Sequence, residues 1–374
     1  MSEEILINIT PMESRVAVVE NGVLQEVHVE RTQRRGIVGN IYKGKVVRVL
    51  PGMQAAFVDI GLDRAAFIHA SEISTREGTA VESISALVHE GQSLVVQVTK
   101  DPIGSKGARL TTQLSIPSRY LVYMPRTAHV GISLKIEDEA ERERLKQVVS
   151  DCVAQEGIKE AGGFILRTAA EGAGADEIMM DIRYLRRLWD QIGAQIKTIG
   201  APNVIYEDLG LALRTLRDLV SPKIEKIRID SRETFQKTTV FVAELMPEIA
   251  DRLEHYPGER PIFDLYGVED EIQKALERKV PLKSGGYLVV DPAEAMTTID
   301  VNTGAFVGHR NLEETIFKTN LEAATAIARQ LRLRNLGGII IIDFIDMEDE
   351  EHQRQVLRTL ETVSYTHLTL PTKA

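Results

Sequence analysis

The sequence predicts a multidomain α+β protein, and three observations predict it. An Asn-Gly turn sits between alternating apolar runs near the N-terminus. Short strands punctuated by Gly and Pro fill residues 36 to about 117. The last part of the chain reads strand, turn, strand, long helix, strand, with an aspartate following or interrupting each of two β-branched runs. With 374 residues there is room for roughly two to four domains.

The first element is a small antiparallel sheet. Ile5 to Ile9, Arg15 to Val19 and Gln25 to Val29 alternate polar and apolar residues, and Glu20-Asn21-Gly22 joins the last two. Asn-Gly supplies the positive φ angles that a tight hairpin requires. The strands that follow are Ile41 to Val49, Ala55 to Ile60, Ala65 to His69 and Leu94 to Thr99, with turns at Pro51-Gly52 and Gly61-Leu62-Asp63. That spacing suits an OB-type barrel. Phe57 and Phe67 fall on neighbouring strands, where they either stack bases or fill the barrel core. His69, at a strand end, reads as structural.

Residues 118 to about 212 mix strand and helix. Glu139 to Val149 is a charged amphipathic helix, and Gly162 to Leu166 is a short apolar strand that ends in Arg167-Thr168. A guanidinium fork and a hydroxyl together suit a phosphate. The plainer reading of the residues alone is an ion pair from Arg167 to Glu171 or another acid. Residues 211 to 235 and 247 to 279 read as mostly helical. In the long helix that follows, Asn311 is the expected cap with Glu314 as its capping-box partner. Ile316, Leu321, Ala324, Ile327 and Leu331 form the expected inner stripe, and Gly337-Gly338 the stop. Arg329, Arg332 and Arg334 suit the negative end of the helix dipole and read as structural.

Hydrophobic content is 43% and charged content 27%, ordinary for a globular chain. No run of some 18 apolar residues suggests a membrane span, and Met1-Ser2-Glu3-Glu4 lacks the basic-then-apolar pattern of a signal peptide. The single cysteine, Cys152, excludes an intrachain disulfide and fits a reducing cytoplasm. The net charge of −10 argues against nucleic acid when taken alone. Yet Arg31 to Leu50 carries Arg31, Arg34, Arg35, Lys43, Lys45 and Arg48 and no acid, and phosphates meet local surface. The plainer reading of that run is a solvated basic face.

Two motifs carry the chemistry: Thr297-Thr298-Ile299-Asp300-Val301-Asn302-Thr303-Gly304, and Gly337-Gly338 followed by Ile339 to Ile342, Asp343, Phe344, Ile345 and Asp346. Ile339 to Ile342 reads as a buried strand. A carboxylate at a strand end lies where open sheets bind ligands. Two carboxylates so placed repel each other unless a cation neutralises them, and Mg²⁺ takes few protein oxygens plus water and phosphate. Such a pair is the equipment of phosphodiester hydrolysis. Asn302, two residues after Asp300, shares its strand face. Periodicity alone leaves Asp343 and Asp346 open as the second carboxylate. His309 reads as structural or as a surface group.

On these motifs, together with Gly39 to Gly44, Gln54 to Gly61, Lys106 to Thr112, Arg167 to Ala169 and Gly337 to Met347, the chain resembles the ribonuclease E/G family over about residues 1 to 363. Gly304 to Arg310 is similar to its G branch. The resemblance implies an S1 (OB-fold) RNA-binding domain at 36–117, inserted in an RNase H-like part at 1–35 and 213–279. It implies a 5′-sensor region at 118–212 and an incomplete DNase I-like catalytic subdomain at 280–363. It implies a Mg²⁺-dependent (Mn²⁺ being an alternative) endoribonuclease specific for single-stranded RNA, leaving 5′-phosphate and 3′-hydroxyl ends and favouring 5′-monophosphorylated substrates. In such a protein Asp300 and Asp343 hold the metal and Asn302 contacts the scissile phosphate. Arg167 and Thr168 grip the 5′-phosphate, and Phe57, Phe67 and Lys106 contact RNA. Implied partners are rRNA precursors and mRNA, in a cytoplasmic homodimer. The family's Cys-x-x-Cys zinc link is absent, so no zinc is expected. Residues 364–374 depart from the family pattern and are expected to be a non-native tail. An RNA-binding fragment without cleavage and a DNA nuclease are the competing expectations.

Overall fold

The computed structural model describes residues 3–73, 83–104, 106–127, 129–157, 162–221, 223–304 and 312–368. The predicted cap Asn311 and His309 lie outside them. The chain forms two compact units, one built from residues 1–29, 221–237 and 251–374, the other from 30–220 and 238–250. Both mix helices and sheets. No helix among the described residues is long and apolar enough to cross a membrane.

The first unit holds two sheets. In one, Glu3–Ile9, Glu13–Glu20 and Val23–Arg31 pair in sequence order. Asn21 (φ 49°) and Gly22 (φ 77°) make the left-handed turn between the last two. The sheet is larger than the small antiparallel one expected. Ile224–Ile229 joins Glu3–Ile9 in parallel, and Leu253–His255 joins Ile224–Ile229 in parallel. This corrects the helical reading of 211–235 in its middle, whereas Leu211–Leu219 and the start of Arg232–Leu245 are helix as expected. A parallel partner distant in sequence leaves no local turn signal. The three isoleucines of the segment, Ile224, Ile227 and Ile229, are buried, with a spacing that partly fits a helix face.

The second sheet runs Lys279–Pro281, Tyr287–Pro292, Met296–Asn302, Ile339–Asp343. The long helix Leu312–Leu333 packs on one side of it. Leu288, Val290, Ile299 and Val301 meet Ala323, Ile327 and Leu331 there, and burial of each large side chain is worth about 1.5–3 kcal/mol. The helix buries Thr315, Thr319, Asn320, Ala323 and Ala324 more deeply than the expected Ile316 and Leu321, which are half-buried. Small side chains let the helix approach the sheet closely. The helix also ends before the glycines: Asn335 takes the left-handed conformation (φ 51°), and Leu336 N–H closes on the Leu331 carbonyl. Glu314 pairs with Lys318. Arg329 pairs with Glu271, Arg332 with Glu26, and Arg334 donates to Gln330, structural uses as expected. A final helix, Glu350–Leu368, runs across residue 364 without interruption.

In the second unit a barrel closes on itself. Ile41–Leu50, Ala55–Asp59, Ala66–His69, Arg109–Thr111 and Ser93–Lys100 pair in that spatial order, and Ile41–Leu50 also pairs with Ser93–Lys100. Its interior is Val46, Ala56, Val58, Ala66, Ile68, Val96, Val98 and Leu110. Asn203–Tyr206 adds to the outside of Ile41–Leu50. Beside the barrel in sequence, a four-stranded sheet (Val130–Ile132, Gly163–Leu166, Leu121–Met124, Ile116–Pro117) is covered by the helices Glu139–Gln155 and Ala175–Thr198. Leu145, Val149, Phe164, Ile178, Ile182 and Leu185 form that core, with Cys152 buried among them.

Candidate active site and nucleic-acid interface

Met296–Asn302 alternates strictly. Thr297, Ile299 and Val301 are buried under the long helix, while Met296, Thr298 and Asp300 are exposed and Asn302 is half-buried. Ile339–Asp343 lies beside it in parallel, with Asp300 directly opposite Asp343. The sheet therefore places both carboxylates side by side on its open face, about 4.8 Å apart at the backbone. Asn302 shares that face, and its Nδ2 donates to Asp300 Oδ2 at 2.8 Å. Asp346 is exposed in the segment after the strand, outside the ladder.

The isoleucine run is not a fully buried strand. Ile339 is 60% and Ile341 48% exposed, because one face alone of this strand packs on the helix. Among the described residues it is the edge of its sheet. What fixes the end of this strand was not foreseen. Asn320, completely buried in the long helix, donates from Nδ2 to the Ile345 carbonyl at 2.8 Å and accepts from the Ile345 N–H at 3.2 Å. A polar residue inside an apolar helix face was the signal available for it.

The donor set fits the metal that the two motifs suggested. Both groups are hard carboxylate oxygens, and no group of three or more His, Cys, Asp or Glu among the described residues forms an alternative centre. Two protein oxygens leave the remaining coordination to water and phosphate, the mode that suits Mg²⁺.

On the barrel, Phe57 and Phe67 face each other across neighbouring strands, edge to face, with ring centroids 6.1 Å apart. Both are half-buried, while their neighbours Ala56, Val58, Ala66 and Ile68 fill the interior. The alternative of two core phenylalanines is therefore not what the barrel contains. In register with this pair stand Arg48 on one side and Arg109 on the other, both exposed. The row Arg48, Phe57, Phe67, Arg109 puts guanidinium groups at both ends of an aromatic platform, suited to a stacked, anionic strand. The two arginines were seen in the sequence only as part of a basic run and of a motif. Lys106 is exposed two residues before Ala108, whose carbonyl accepts from Phe67 N–H at 2.7 Å. Gly107 is required at that approach, since a Cβ would collide with the Ala65 carbonyl. Lys43 and Arg35 spend their charge on the carbonyls of Ile196 and Asp208. His69 caps a short turn through Ser71.

Arg167 and Thr168 leave the end of Gly163–Leu166, both half-buried. Arg167 makes no ion pair with Glu171. One Nη donates to the Ser118 carbonyl at 2.6 Å, which orients the guanidinium and leaves the rest of its fork available. Thr168 Oγ1 lies 3.4 Å from Ser133 Oγ. Behind Ser118 sits Asp181, whose Oδ2 accepts from Ser118 Oγ and Tyr120 N–H at 2.6 Å each and from Leu121 N–H at 3.2 Å. Burial pushes this carboxyl up to about 6 in spite of the three donors. Asp181 thus holds the corner that Arg167 leans on. Its position in a charged helix gave no hint of that.

A family model, the Ribonuclease E/G family, matches residues 115–367, and a second, the S1 RNA binding domain, matches residues 37–101. The chain is 59% identical over 370 residues to "Ribonuclease G" of Escherichia coli (strain K12), covering 96% of this chain and 75% of that relative. It is 56% identical over 366 residues to "Ribonuclease G" of Haemophilus influenzae, with 96% and 74% covered. It is 39% identical over 364 residues to "Ribonuclease E" of the same organism, covering 95% of this chain and 38% of that relative. An S1 domain with a closed barrel, followed by the sheet that pairs Asp300 with Asp343, is carried by a chain that belongs to the ribonuclease E/G family.

Proposed function

We propose that this chain, an endoribonuclease of the ribonuclease E/G family, cuts single-stranded RNA at the Asp300–Asp343 face in a Mg²⁺-dependent reaction, leaving 5′-phosphate and 3′-hydroxyl ends. The observation that carries the reading is the register that sets Asp300 opposite Asp343 with Asn302 on the same open face. Asp300 and Asp343 would hold the ion, which when bound supplies a water of lowered pKa and offsets charge on the phosphoryl oxygens. Asn302 presents a neutral amide donor to a phosphate oxygen in exchange for its present partner, the Asp300 carboxylate. The Phe57–Phe67 platform, with Lys106 nearby, grips the single strand by stacking and charge. Arg167 and Thr168 receive a 5′-monophosphate and so favour that end over a 5′-hydroxyl. The family supports rRNA precursors and mRNA as natural substrates, a cytoplasmic setting and a homodimeric assembly.

The test is cleavage of a short AU-rich RNA, 5′-monophosphorylated or 5′-hydroxyl, with Mg²⁺ or EDTA, by this chain and by Asp343→Asn. Metal-supported charge stabilisation is worth several kcal/mol, and about 1.4 kcal/mol is tenfold in rate. The variant should therefore cut on the order of 1,000-fold more slowly while binding RNA within about twofold of the parent. Cleavage that survives EDTA, or a variant that loses binding as much as cutting, would overturn the assignment.

A further inference from the structure

The catalytic sheet carries a cation and a ring that the proposed reaction does not yet use. In-register pairing lines up Lys279, Val289, Asp300 and Asp343 across its four strands. The next row on the same face is Pro281, Tyr287 and Asn302. Directly paired residues share a face, so Lys279 and Tyr287 belong to the same open surface as the carboxylates. Two strand spacings of about 4.8 Å put the Lys279 backbone about 10 Å from that of Asp300. Lys279 is exposed, and its Nζ stands 3.6 Å from the centroid of the half-buried Tyr287 ring. It has no carboxylate partner among the described residues, whereas its neighbour Arg278 is paired with Asp291.

We infer that Lys279 and Tyr287 form a nucleotide subsite beside the Asp300–Asp343 pair, the ammonium taking the phosphate and the ring stacking the base of a ribonucleotide that flanks the scissile bond. The inference rests on the reading of that face as catalytic. Without a bound ion, two adjacent carboxylates repel a phosphate chain, so a strand laid across them gains from a cation within reach, and Lys279 closes the row that they begin. An exposed cation–π pair is weak beside base-on-aromatic stacking. An incoming base therefore displaces the ammonium from the ring. The freed lysine, a compact charge on a flexible stem with three donors, turns to the phosphate. Half-buried Val289, between Lys279 and Asp300, offers an apolar floor with no competing polar group. Stacking accepts any base, so the subsite contributes grip at the cut and little sequence preference.

The test uses the whole chain with Lys279→Gln, Tyr287→Ala and Tyr287→Phe. Binding of a 5′-hydroxyl oligoribonucleotide is followed in EDTA by fluorescence anisotropy over a salt series, and cleavage kinetics are followed with Mg²⁺. Lys279→Gln should lower the log–log salt slope by about 0.7, the single-strand value for one phosphate contact. Tyr287→Ala should raise KM about tenfold, within the range found for a lost stacked base, with kcat nearly unchanged. Tyr287→Phe keeps the ring and should match the parent, and a urea unfolding midpoint of Tyr287→Ala near the parental one excludes a folding defect. One abasic nucleotide walked through the RNA should weaken the parent at one flanking position and cost Tyr287→Ala nothing further there. A parental slope in Lys279→Gln, or one abasic profile for parent and Tyr287→Ala alike, would overturn the subsite. Because the binding arms need no metal, a chain that binds but fails to cut would count against the catalytic reading alone.

Discussion

At the scale of single residues, the two proposed sites are built differently. Asp300 and Asn302 stand on a rigid strand, with the amide already bonded to the carboxylate. Arg167 stands at a strand end and is oriented by one backbone acceptor, the Ser118 carbonyl. Charged hydrogen bonds are worth about 1.5–3 kcal/mol. Arg167→Ala should therefore reduce the preference for 5′-monophosphate over 5′-hydroxyl RNA by roughly tenfold to a hundredfold, and leave cleavage of the 5′-hydroxyl substrate near the parental rate. Equal slowing on both substrates would show that Arg167 supports the fold instead of reading the 5′ end. These candidate residues were legible because each lies in a short motif whose chemistry is local: an acid ending a β-branched run, or Arg-Thr after an apolar strand. Asp181 was not legible. Its three donors come from residues 118 to 121, some sixty positions earlier, and on its own helix it reads as one charge among several.

At the scale of elements, the long helix does two jobs. Its apolar residues cover the sheet, and its buried Asn320 fixes the segment that follows Asp343 through two bonds to Ile345. Asn320→Ala would leave a backbone N–H and C=O without their partner, at a cost of about 1–3 kcal/mol. We expect a comparable drop in stability by urea unfolding, together with a fall in kcat larger than any change in RNA affinity. Unchanged kcat in a destabilised variant would confine Asn320 to packing. The elements themselves were unevenly legible. The Asn21-Gly22 hairpin announced itself because two adjacent residues determine the turn. The strand Ile224–Ile229 did not, because its partners are Glu3–Ile9 and Leu253–His255, and parallel pairing depends on contacts that no short window contains. The exposure of Ile339 and Ile341 was missed for a related reason: a run of four isoleucines does not say how many of its faces are covered.

At the scale of the whole molecule, stability should carry the signature of the buried Asp181. Its carboxyl ionises near 3.8 when unfolded and near 6 when folded. Between those values the folded chain binds more protons, so stability falls as pH rises, and the loss is complete above pH 6. At about 1.4 kcal/mol per unit, the effect is about 3 kcal/mol. Asp181→Asn carries no charge to bury. Relative to the parent it should gain about that much between pH 4 and pH 7, as read by urea unfolding at four or five pH values. A difference that stays flat across this range would mean that the carboxyl titrates alike in both states.

The pairing of Asp300 with Asp343 also limits how this chain can vary. Side chains on a strand alternate faces, so a slip of one residue in Ile339–Asp343 would turn Asp343 toward the helix and bring Phe344 onto the open surface. Ile340 and Ile342, which pack with the helix core, oppose that slip. Length changes by one residue should thus be admissible in the turn around Asn335 to Gly338 and inadmissible within the strand. The proposed centre is protected less by the chemistry of its neighbours than by the parity of their count.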